Sequence, residues 1–203
     1  MPLASNEEQD LHGNAPDTCP VALLLIDLIN DLDFPDNEDL VRRSAELGSR
    51  ISSLKQRCKQ AGIPAIYVND NYGKWRSDFT EVLRHSLRAG APGREMVERL
   101  RPEPDDYFIL KPKHSAFFAT PLDVLLERIG VRALIVAGLT TNACIMISTS
   151  EAYVRDYRLF VPSDCVAALH NEQQCAALEL MRKNLGADTT IAAEIDLEKL
   201  KTL

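Results

Sequence analysis

The run VALLLID, Val21 to Asp27, is apolar at every position before its aspartate. A strand with one wet face alternates apolar and polar residues, so an unbroken apolar run belongs to a strand covered on both faces, as in a parallel sheet. Parallel strands cannot be joined by tight turns, and helices must carry the chain back. A helical pattern duly follows. Apolar or small residues recur at three and four through Leu40, Val41, Ala45, Leu47, Gly48, Ile51, Leu54, Cys58 and Ala61, with Gly62 as a stop. IPAIYVN reads as the second strand, DYFILK as the third, ALIVAG as the fourth, RLFVP as the fifth and TTIAA as the last. Short helices are expected between Thr80 and Leu100. TPLDVLLERIG predicts another, with Thr120 as N-cap and Pro121 at the first helical position. Two more are expected from about Ala143 to Tyr157 and from about Asn171 to Leu185. The pattern predicts an α/β fold: a three-layer α-β-α arrangement with a mainly parallel, Rossmann-like sheet of about six strands, helices on both faces and right-handed crossovers.

A chain of 203 residues without a break in composition suits one domain, placed at 20–203. The polar segment MPLASNEEQDLHGNAPDTCP lacks the charged-then-apolar pattern of a secretory signal, and 1–19 is expected to be a flexible arm or a strap on a neighbouring subunit. The net charge of -7, with no basic tract, argues against a nucleic-acid partner. No apolar stretch is long enough to cross a membrane, so no membrane partner is expected. The five cysteines are widely spaced without a CxxC pair, which suggests neither a disulfide frame nor a zinc site, and a reducing cytoplasm is the expected location. No GxxxxGK[ST] or GxGxxG is present, which removes nucleotide-dependent chemistry. DLDFPDNED is too irregular for a calcium loop, with Pro35 where a ligand is wanted.

In open parallel sheets the ligand crevice lies at the carboxyl ends of the strands. That rule selects Asp27, Lys111 and the AGLTTNACI loop that carries Cys144. A thiol in the first turn of a helix, beside an ammonium, is expected to ionise below its ordinary pKa of about 8.5. Asp27 can move a proton between thiol and leaving group, and small residues from Gly138 to Ala143 let backbone N–H groups approach a substrate oxygen. Together these residues describe acyl transfer. Each also has a structural reading: a buried thiol, a turn-capping aspartate, a solvated lysine. Cys165 and His170, five apart, make a poor pair, and Cys165 is read as structural with Asp164 capping a turn. Phe34, Tyr72, Trp75, Phe117 and Phe118 fall on loops near the crevice. Phe117 or Phe118 is the better core candidate than Trp75, which sits in a polar loop.

The motifs IDLINDLDF, KPKHSAFFATPL and GLTTNACI occur in this order, within a similarity that runs from about Val21 to Ala193. They resemble those of the isochorismatase-like cysteine hydrolases, a superfamily that includes nicotinamidases and N-carbamoylsarcosine amidases. The resemblance implies a catalytic triad of Asp27, Lys111 and Cys144. It also implies a non-proline cis peptide before Thr140, which would turn the Thr140 and Cys144 N–H groups toward the substrate oxygen. It further implies a homo-oligomer, a dimer or tetramer.

There are departures from the family pattern. Nicotinamidases hold a divalent metal with an Asp-x-His pair and a further histidine after strand two, where this chain has NDNYGKWRSDF, so no metal and no cofactor are expected. Ile29 stands for the usual Gln, and His114 for the usual Tyr. Isochorismatases proper often lack the cysteine, so its presence favours C–N cleavage. The expectation is a metal-independent hydrolase of a small linear amide, with Phe34, Tyr72, Trp75, His114 and Phe118 near the substrate. The alternatives are an isochorismatase-type vinyl ether hydrolase that uses Asp27 as proton donor, and a non-catalytic binding or scaffold member with a vestigial triad.

Overall fold

The computed structural model describes residues 17–202. Of the expected N-terminal arm, all but Asp17, Thr18 and Cys19 lies outside them. The first strand, β1 (Val21–Ile26), is buried at all six positions. It lies between β2 (Ala65–Asp70) and β4 (Ala133–Leu139), and is parallel to both. β3 (Tyr107–Lys111) flanks β2 and β5 (Arg158–Phe160) flanks β4, giving the order β3-β2-β1-β4-β5. The chain builds outward from β1 to one edge, then returns to β4 on the other side. The carboxyl ends of β1 and β4 therefore border the point where the winding reverses, the place where such sheets leave a crevice.

Helices cover both faces, and the three-layer α/β reading holds. α1 (Glu38–Gln60) buries Leu40, Ser44, Leu47, Gly48, Ile51, Leu54, Lys55 and Cys58, the stripe expected from its periodicity. Gly48 lets α3 (Arg94–Arg99) come close: a Cβ there would stand 3.2 Å from Met96 Cγ. α2 (Phe79–Ser86) begins at Asp78, whose carboxylate accepts the Glu81 N–H. α4 (Leu122–Ile129) starts one residue later than expected, with Pro121 as cap. It stops at Gly130, whose φ of 86° suits a residue without Cβ.

Two elements differ from expectation. The helix after β4 is preceded by a π turn, Thr141–Ile145, and α5 itself spans Met146–Tyr153, ending before Tyr157. The expected last strand, TTIAA, is not a strand. Its backbone is tied by side chains: Ala192 N–H donates to Asp164, while Arg57 donates to the Ala192 and Ile195 carbonyls, and a 3-10 turn forms at Ala192–Glu194. The sixth strand is instead β6 (Val166–Ala167), two residues beside Gly138 and Leu139 of β4. α6 (Asn171–Asn184) follows, and a short α7 (Leu197–Leu200) closes the described chain. No helix among the described residues is long and apolar enough to cross a membrane.

Candidate active site

β1 runs straight into Asp27, which leaves the strand at φ 53°, a left-handed conformation that aspartate tolerates better than most residues. Its neighbours fix the carboxylate. Oδ1 accepts the Asp70 N–H from the end of β2 at 2.7 Å, and Oδ2 lies 2.8 Å from Lys111 Nζ at the end of β3. Lys111 is fully buried. Its ammonium also lies 3.6 Å from Asp70 Oδ2, 3.2 Å from the Lys113 carbonyl and 3.4 Å from Cys144 Sγ. The structural alternatives of a turn-capping Asp27 and a solvated Lys111 do not describe these positions. Asp70 escaped the sequence reading although the strand-end rule applied to β2 selects it.

Cys144 arrives through β4. A Cβ on Gly138, whose φ is 133°, would stand 2.0 Å from the Ile26 carbonyl, so only glycine lets the end of β4 lie against the end of β1. The Leu139-Thr140 peptide is cis, and the π turn follows directly. Cys144 lies in that first turn, between Ala143 and Ile145, whose N–H groups both donate to the Thr140 carbonyl at 3.1 and 3.2 Å. Thr141, in the same turn, buries a hydroxyl without a hydrogen-bond partner among the described residues.

The electrostatics differ from a simple helix-terminus argument. Burial pushes the Cys144 thiol up to about 12; the Asp27 charge and hydrogen bond push the same way, against the Lys111 ammonium. Burial likewise raises the Asp27 carboxyl, against the pull of Lys111 and the hydrogen bonds from Cys144 and Asp70. Burial works against the Lys111 charge, but Asp27 and Cys144 hold its pKa above the ordinary lysine value. One buried ammonium thus faces Asp27 and Cys144, with Asp70 as a third acid at 3.6 Å. Burial and the Asp27 charge favour the protonated thiol, contrary to the expected standing thiolate.

His114 approaches from the open side, its Nδ1 3.4 Å from Cys144 Sγ, while its ring is exposed. Tyr72 donates its hydroxyl to the Ile29 carbonyl at 3.3 Å, and burial of that hydroxyl, together with the nearby Asp27, Asp31 and Asp70 charges, raises the phenol pKa. The buried Asn69 side chain holds both N–H and C=O of Ile29, at 3.3 and 2.8 Å, which fixes the loop after β1. Tyr72 and Trp75 line a crevice of about 550 Å³ with Lys74, Arg76 and His85. Asp27, Lys111 and Cys144 do not line this crevice, and Asn71, whose N–H donates to the Lys111 carbonyl at 3.0 Å, links the two. Phe34 packs on the core, Phe118 is exposed and Phe117 is buried.

Asp70, Asn71 and Tyr72 stand at the end of β2, in the stretch where the resemblance would look for a nicotinamidase-type metal set. Asp70 faces Lys111 and accepts the Tyr72 N–H at 2.6 Å. A single carboxylate already facing an ammonium, with no imidazole grouped with it among the described residues, does not fit a divalent cation. Glu103, Asp105 and Asp106 cluster before β3, at the opposite end of the strands, where Lys55 and Lys59 neutralise them.

Fold and site together define a three-layer α/β protein with a buried lysine and a cysteine at the switch point of its sheet. Residues 21–194 match the family model described as the isochorismatase domain, and the chain belongs to the isochorismatase family of hydrolases. It is 34% identical over 174 residues to the uncharacterized isochorismatase family protein YaaI of Bacillus subtilis, covering 86% of this chain and 95% of that one. It is 32% identical over 178 residues to a probable inactive nicotinamidase of Arabidopsis thaliana, covering 83% and 90%. An isochorismatase family protein from Desulfovibrio vulgaris superposes with a TM-score of 0.70 at 26% identity, covering 88% of this chain and 97% of that one.

Proposed function

We propose that the protein hydrolyses the C–N bond of a small linear amide through a thioester on Cys144. The observation that carries this reading is the ammonium of Lys111, set 3.4 Å from the Cys144 sulfur and 2.8 Å from the Asp27 carboxylate. Sulfur attacks the carbonyl carbon as its proton passes to Asp27, and the carbonyl oxygen takes the negative charge beside the Thr140 and Cys144 N–H groups. The C–N bond then breaks, with the Asp27 proton leaving on the amine. Water attacks the thioester, the acid departs, and the thiol regains a proton. Lys111 stays charged throughout and neutralises whichever of Asp27 and Cys144 carries the anion. No step requires a metal.

The test is turnover of a panel of small linear amides, read as ammonia or amine release, by wild type and Cys144→Ala. The expected result is hydrolysis of at least one amide by the wild type and none by the variant. A Cys144→Ala protein that still cleaves a vinyl ether substrate would move the chemistry to Asp27 as proton donor. A homo-oligomer belongs to the same reading, and light scattering tests it.

A further inference from the structure

We infer that His114 is a catalytic residue for the second half of the reaction, activating the water that discharges the Cys144 thioester. The inference rests on the proposed cysteine chemistry but concerns a separate step. Its starting point is the 3.4 Å contact between His114 Nδ1 and Cys144 Sγ. In a thioester the acyl carbon is bonded to that sulfur, so a water beside it is within one hydrogen bond of Nδ1.

The contact is held from both ends. On one side, the Lys113 carbonyl accepts from Lys111 Nζ at 3.2 Å. On the other, Ser115 Oγ accepts the Phe117 and Phe118 N–H groups, both at 3.0 Å, and Ala116 N–H donates to Ser148 Oγ at 2.9 Å. Ser148 lies one helical turn beyond Cys144. The segment that carries His114 is therefore fastened to the same helical segment that carries the nucleophile, which sets the distance between imidazole and sulfur in advance.

The other groups at the sulfur are less suited to this step. Lys111 is an ammonium, held charged by Asp27 and Cys144, and has no lone pair to offer. Asp27 is buried, whereas the attacking water comes from bulk. His114 is exposed, so water reaches its ring from bulk. With the ring proton on Nε2, Nδ1 takes a proton from water as the oxygen bonds to the acyl carbon. The C–S bond then breaks, the carboxylic acid leaves, and the imidazolium returns its proton across the same contact to sulfur. Thioester and water are consumed, acid and thiol are formed, and the imidazole ends neutral.

The experiment uses p-nitrophenyl acetate, which transfers an acetyl group to an active thiol, with nitrophenol release and the mass of Cys144 peptides followed together. His114→Asn places an amide where Nδ1 stood but cannot take up the proton. The expected result is a burst of about one nitrophenol per chain, followed by a steady rate about 100-fold below wild type, with acetyl retained on Cys144. Free imidazole should speed discharge from His114→Ala, which a purely structural role for the histidine does not predict. Discharge from His114→Asn at the wild-type rate overturns the inference, and so does a variant that loses the burst itself while wild type keeps its acylation. If wild type and Cys144→Ala release nitrophenol alike, the cysteine reading fails, and this inference with it.

Discussion

The Lys111 ammonium and the Asp27 carboxylate lie 2.8 Å apart, with side chains 0% and 8% exposed. Breaking such a pair from one side leaves a buried charge without compensation, at a cost of about 3–5 kcal/mol. Lys111→Met is therefore expected to lose that much stability at neutral pH in urea unfolding. The sign with pH follows from Asp27, whose folded pKa is raised above 3.8 and rises further without the lysine. A carboxyl of this kind stabilises most below its unfolded pKa, and the benefit is lost as pH climbs through the folded value. The deficit of Lys111→Met should thus shrink toward pH 4, and Asp27→Asn added to Lys111→Met should recover part of it at pH 7. A deficit that is flat with pH would assign the loss to packing.

Asp27 follows burial among the causes that keep the Cys144 thiol near 12. Asp27→Asn removes that charge and leaves Lys111 to favour the thiolate. Alkylation of Cys144 by iodoacetamide, located by peptide mass, should rise at lower pH in this variant than in wild type, while amide turnover disappears. Superimposed pH profiles for the two proteins would refute this coupling.

Asp31, in the loop after β1, pairs with Arg88 Nη1 and with His85 Nε2 at 2.9 Å. Burial works against its charge, but the Arg88 hydrogen bond and the Asp33 N–H prevail and hold its carboxyl below the ordinary value. A depressed carboxylate contributes stability above its unfolded pKa and loses it as pH falls through the folded one. Asp31→Asn should cost about 1–2 kcal/mol at pH 7, and the difference from wild type should fade as pH drops below 3.8.

Trp75 is the single tryptophan and is 77% exposed. Its fluorescence should report an aqueous indole that iodide quenches efficiently, and Trp75→Ala should change stability by less than about 0.5 kcal/mol. A substrate amide that enters the adjoining crevice should shift the emission to the blue and protect it from iodide. Unchanged emission under saturating substrate would place the ligand elsewhere.

The central strands were legible because β1 and β4 are apolar at consecutive positions, a pattern that only a doubly covered strand explains. The proximity of Asp27, Lys111 and Cys144 was legible as three useful side chains at strand ends, sharpened by motif resemblance. β6 was not, because two residues, Val166 and Ala167, carry no periodicity. The 188–194 segment reads as a strand from its β-branched residues, but only Asp188 pairs with β5, at Phe160; beyond it Asp164 and Arg57, far away in sequence, take the backbone hydrogen bonds at Ala192 and Ile195. The thiol's high pKa was missed for a similar reason: a helix terminus can be read locally, whereas burial depends on the whole fold and the charge of Asp27 arrives from 117 positions upstream. The contact of His114 with sulfur likewise depends on Ser148 and Lys111, which no spacing rule connects.

The register that sets Ile26 beside Gly138 has a kinetic consequence. β1, α1 and β2 are sequence neighbours and can associate early, but the partner of β1 on its other side lies more than a hundred residues further along the chain. Contacts of such separation form late, since the intervening loop must be closed before they repay it. Sulfur, ammonium and carboxylate therefore meet only at the final stage of assembly. In refolding, recovered turnover should trail recovered helix content, so that catalysis serves as a clock for the last docking event.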